Sequence, residues 1–123
     1  MKKTYTLFTV IAIIAIFAFS ITSNAFAKKM TCDELMADLK SEKLNERCQA
    51  AQKLASNNMT EAVDSLLECL KCEKDMRVKI VFLSALGELG NADIIDELKS
   101  LQTKETNKTV QHVMAGVIKK LKA

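Results

Sequence analysis

The sequence predicts an all-α, right-handed α-solenoid of about three helical hairpins, six helices in all, preceded by a short export segment. Three observations predict it. Apolar residues recur at helical spacing in two alternating sets, each set returns after 31 or 32 residues, and polar capping residues stand between the sets. Leu, Ala, Lys and Glu dominate this region, β-branched alternation is missing and proline is absent, so a strand reading fails.

The first element is not part of the solenoid. Lys2 and Lys3 precede an almost unbroken apolar run from Leu7 to Phe19, followed by the polar stretch Ser20 to Asn24 and by Ala25-Phe26-Ala27. A basic start, an apolar helical middle and small residues at the cleavage positions make residues 1–27 a secretory signal peptide, cut after Ala27. The run is shorter than the ~20 residues that span a bilayer, which disfavours a retained anchor. Lys29-Met30-Thr31 before Cys32 does not fit a lipoprotein signal. The expected mature chain is residues 28–123, exported to the periplasm or secreted. Its charge is nearly balanced: only Lys2 and Lys3 of the 18 basic residues, and none of the 15 acids, fall in the first segment, leaving 16 bases against 15 acids. That balance argues against nucleic acid as a partner.

Within the mature chain, Met36-x-x-Leu39, Leu67-x-x-Leu70 and Leu98-x-x-Leu101 recur at 31 residues, preceded by Cys32, Val63 and Ile94. The second set recurs at 32: Arg47, Lys79 and Gln111, then Ala50, Phe82 and Met114, then Leu54, Leu86 and Ile118. Together they predict helices over approximately 32–42, 46–56, 61–72, 76–89, 92–102 and 108–122, in repeats of about 31–58, 59–90 and 91–123. Thr31 with Glu34 forms a capping box. Asn45, Thr60, Asp75, Asn91 and Asn107 are expected N-caps, and Gly90 an expected left-handed stop.

Asp75-Met76-Arg77-Val78-Lys79, running into Ser84-Ala85-Leu86-Gly87-Glu88-Leu89-Gly90-Asn91, resembles the second helix of a HEAT repeat of the short, phycobilisome-lyase type. Lys43 to Leu54 and Asn107 to Ile118 are weaker copies, so the likeness covers nearly the whole mature chain. Glu46 stands where the other copies have Val78 and Val110, and Gln111 where the family favours arginine. Both departures are in end repeats, where capping makes the pattern atypical. The resemblance implies a non-catalytic scaffold for a protein partner, and a monomer is expected. Docking would use the shallow face of the second helices, with Arg47, Lys79 and Gln111 either meeting the partner or tying adjacent repeats together.

Four cysteines in an exported chain suggest a disulfide. Cys48, early in the second helix, is expected at the same end as Cys69 and Cys72, late in the third; Cys32 lies roughly 15 Å away along the first. One bridge is therefore expected, Cys48 to Cys69 or to Cys72, worth ~2–4 kcal/mol, while Cys32 takes a small apolar position. Cys69-Leu70-Lys71-Cys72 is also a C-x-x-C pair, and a thiol–disulfide protein is the main alternative function. Its place at a helix C-terminus, where the dipole disfavours thiolate, counts against that. No second ligand pair supports zinc, and Glu73 after the pair excludes covalent haem attachment. No cofactor or catalytic set is expected. His112 reads as a helix-face residue, and Met36, Met76 and Met114 as packing. From Lys99 onward Lys99, Lys104, Lys108, Lys119, Lys120 and Lys122 face only Glu105. That basic end is a solubilising cap or, in a third reading, a peripheral contact with membrane headgroups or an acidic protein patch.

Overall fold

The computed structural model describes residues 30–123; the signal peptide expected over 1–27 lies outside them. Among the described residues the fold is all-helical, with α1 Cys32–Asp38, α2 Leu44–Ser56, α3 Val63–Cys72, α4 Met76–Leu89, α5 Ile95–Lys104 and α6 Lys108–Lys122. Short 3₁₀ turns, Thr60–Ala62 and Ala92–Ile94, lead into α3 and α5. Pairs α1/α2, α3/α4 and α5/α6 are the three hairpins. The second helices, α2, α4 and α6, pack side by side, whereas first helices of successive hairpins approach each other much less. The seam of the stack is therefore the layer of second helices.

Two of these helices begin and end where the periodicity predicts, because their caps are made. Asp75 accepts from the amides of Arg77 (2.8 Å) and Val78 (3.4 Å), and Asn107 from that of Val110 (3.1 Å). Thr31 likewise accepts from Glu34 N at 3.2 Å. Other boundaries differ. The first helix stops at Asp38, not 42: the carbonyls of Ser41 and Glu42 turn to the Arg47 guanidinium, and Ser41 Oγ accepts from Lys43 N. Lys43, not Asn45, is therefore the N-cap of α2. Thr60 opens a 3₁₀ turn without capping through its side chain, and Asn91 caps the second such turn, so α3 and α5 start later than expected.

The left-handed stop also falls elsewhere. Asn58 has φ 52°, with Asn58 N bonded to Ala55 O (3.1 Å) and Met59 N to Leu54 O (3.0 Å), the paired bonds of a Schellman ending. Gly90 is extended (φ −78°, ψ 175°). Its reason is space: a Cβ would meet Ile94 Cδ1 at 2.6 Å and Leu86 O at 2.7 Å.

The core is wholly apolar. Leu39, Leu54, Leu67, Phe82, Leu86, Leu98 and Met114 are among its buried members, and among the described residues no polar or charged residue is buried as a whole. In α1 the buried face is Leu35 and Leu39, so Cys32 and Met36 are only half-buried. Met76, expected to pack, is 40% exposed. Its sulfur instead accepts from Asn107 Nδ2 at 3.2 Å.

Candidate functional site

The repeated polar positions of the second helices turn inward to the junctions between hairpins. Arg47 of α2 reaches across to Glu73, in the turn after α3, through Nε to Oε2 (2.9 Å) and Nη2 to Oε1 (3.3 Å). One repeat later Lys79 of α4 meets Glu105, after α5, at 2.8 Å. Each acid also organises its own turn: Glu73 accepts from the amides of Lys74 and Asp75, and Glu105 from that of Asn107. Both carboxylate side chains are only 8% exposed. The Lys79 ammonium holds the Glu105 carboxyl below the ordinary carboxylate range, outweighing the burial that pushes it up.

The two ends complete this ladder differently. Ser41, 32 residues before Glu73, performs the turn-forming half of the role, accepting from Lys43 N at 3.2 Å. Gln111 donates to the carbonyl of Glu105 in its own turn, while its own carbonyl accepts from Gln102 Nε2 at 3.2 Å. Arg47, Lys79 and Gln111 are thus all engaged within the fold. Glu73 and Glu105 are the partners that sequence reading missed. Their signal was a 32-residue recurrence of Glu followed two residues later by a capping Asp75 or Asn107.

The cysteines do not pair. Cys32, Cys48, Cys69 and Cys72 are free thiols, so the expected bridge from Cys48 to Cys69 or Cys72 is absent from the structure. The thiols at the shared end keep different company. Cys48 lies near Arg47, Asp75 and Arg77 in the second-helix layer, whereas Cys69 lies near Lys40, Glu68 and Cys72; the charge they share is Glu73. Cys69 and Cys72 line a cavity of about 630 Å³ beside Leu39, Lys40 and the Arg47–Glu73 pair. Burial, first of all, pushes the Cys32, Cys48 and Cys69 thiols up, opposite to the shift a reactive thiolate needs.

What stays open is the outer surface of the second helices. A groove between α2 and α4 runs past Gln52, Ser56, Ile80 and Ser84. Its neighbour between α4 and α6, about 450 Å³, is lined by Ile80, Ser84, Gly87, His112, Gly116 and Lys120. At the 32-residue period these positions form rows: Cys48, Ile80, His112; Gln52, Ser84, Gly116; Ser56, Glu88, Lys120. The floor is low at Gly116, where a Cβ would have no neighbour within 4 Å. Exposed His112 sits on the edge of this groove. Lys108, Lys119, Lys120 and Lys122 are exposed on the last helix. No group of three His, Cys, Asp or Glu placed to hold a metal occurs among the described residues, and no helix there is long and apolar enough to cross a membrane.

Compared with known families, residues 32–119 match HEAT repeats. No curated protein and no solved structure matches the chain.

Proposed function

Since the chain belongs to the HEAT-repeat family, whose members are commonly protein-interaction scaffolds, we propose that it is a non-catalytic scaffold presenting its second-helix face to a protein partner. One observation carries this reading. The charged residues repeated at 32 are consumed in the ladder between hairpins, while the intervening rows from Gln52 to Lys120 line two grooves on the outer surface. A rigid ladder under an open face presents side chains at fixed spacing, which lowers the ordering cost of docking. The scaffold would work outside the cytoplasm, after loss of residues 1–27, in keeping with the basic start and apolar run of that segment.

Site-specific photocrosslinking in intact cells tests the proposal. A photoreactive residue at Gln52 or Ser84 is expected to give a discrete protein adduct, and one at Thr103 on the first-helix side is not. Adducts from Thr103 alone, or none from either groove position, would refute it. The thiol–disulfide alternative predicts instead that a Cys72→Ser variant accumulates mixed disulfides with other proteins.

A further inference from the structure

The face on which a fourth hairpin would pack has become a row of cations. Ala51 and Ala55 in α2, and Leu83 and Gly87 in α4, are buried, with Gly87 lying against Val117 of the next hairpin. Thirty-two residues on, the same two positions in α6 are Ala115 and Lys119, and both are exposed. At helical spacing the line runs Lys108, His112, Ala115, Lys119, Lys122, about 21 Å from end to end at ~1.5 Å per residue. The α6 sequence contains no acid. Among the described residues, none of the six lysines from Lys99 onward takes part in an ion pair.

Capping the stack requires a polar end face, not one of a single sign. The exposed residues of the first hairpin show the mixed version, with Asp33, Glu42 and Glu46 set among Lys40, Lys43 and Lys53. Uniform positive charge along α6 adds self-repulsion that a cap does not need and that an anionic partner removes. We propose that this end face docks an acidic helical segment of another protein, its carboxylates spaced every three or four residues to meet Lys108, Lys119 and Lys122. Shape favours a rod over a lipid plane. The row is one side chain wide, Lys104 turns away to a hollow shared with Lys71 and Glu97, and no large apolar side chain of α6 is exposed to enter a headgroup layer. This surface meets the α4/α6 groove only at His112, and the lysines it uses, Lys108, Lys119 and Lys122, line neither groove, so it is tested apart from the scaffold reading.

The test uses the full mature chain and two labelled, alanine-based helical peptides of about 18 residues, followed by fluorescence anisotropy. In one, glutamates lie along a single face at three- and four-residue spacing; in the other the same glutamates are spread around the helix. The one-face peptide is expected to bind roughly tenfold more tightly. That binding should weaken roughly tenfold when salt rises from about 50 to about 500 mM, and should be lost in K119E/K122E with the helical circular dichroism unchanged. Equal binding of the two peptides, or undiminished binding by K119E/K122E, overturns the proposal. So does preference for phosphatidylglycerol vesicles over the one-face peptide, which would make the row a membrane contact.

Discussion

Truncating Arg47 to alanine removes four hydrogen bonds at one stroke: two to Glu73 and one each to the carbonyls of Ser41 (2.9 Å) and Glu42 (3.2 Å). It leaves the Glu73 carboxylate in a pocket where its side chain is 8% exposed, still accepting from two backbone amides but without its cation. A solvent-exposed pair would be worth only ~0.2–1 kcal/mol, whereas removing one partner of a fully buried pair costs ~3–5 kcal/mol. With Arg47 itself 17% exposed, the expected loss lies between, about 2–3 kcal/mol. A domain of this size holds ~5–14 kcal/mol, so the variant should still fold, with Tm lowered by about 10–20 °C. Urea unfolding followed by far-ultraviolet circular dichroism measures the loss at equilibrium. Glu73→Gln, which keeps an acceptor for the two amides, is expected to cost less. A change in Arg47→Ala of under about 0.5 kcal/mol, within the range of ordinary surface substitutions, would show that water screens the pair and that the ladder does not hold the hairpins together.

Acid should act on the second rung. Because Lys79 lowers the folded-state pKa of Glu105, this carboxylate contributes stability that is present above its unfolded pKa and is lost as pH falls through the lower folded value. Urea midpoints measured from neutral to acid pH are expected to fall less steeply in Glu105→Gln than in the parent chain. The glycines should respond oppositely. Gly90→Ala forces a Cβ against Ile94 and Leu86 O and should destabilise by ~1–3 kcal/mol, while Gly116→Ala meets nothing and should stabilise by ~0.5–1 kcal/mol, both read from thermal melts. Phe82→Ala, opening a hole at a fully buried ring, is expected to cost ~3–5 kcal/mol, seen as loss of most helical signal on mild warming. For the export segment, mass spectrometry of the envelope fraction should find a chain starting at Lys28.

The second helices were the legible part of the fold. Helices α4 and α6 carry apolar residues at unbroken helical spacing between true caps, Asp75 and Asn107, and local chemistry alone sets their limits. Helix α1 is shorter than its sequence predicts because its end is set from outside, by a guanidinium reaching back from α2 to the carbonyls of residues 41 and 42. Gly90 invited a conformational explanation, yet its constraint is the side chain of Ile94, packed against it across the turn. At the junctions, the recurrence of Arg47, Lys79 and Gln111 was visible, but the direction of these side chains was not. Their acidic partners sit 26 residues away in turns, where a search for helical stripes does not look. The cysteines show the same limit: rise along a helix places Cys48 and Cys69 at one end of the stack, but says nothing of the different neighbours each thiol faces.

Hydrogen exchange, read by mass spectrometry on the chain alone and with the partner crosslinked through Ser84, tests the scaffold account most directly. Slowed exchange concentrated in peptides from α2, α4 and α6 is the expected result. Slowing confined to α1, α3 and α5, with the second helices unchanged, would contradict it.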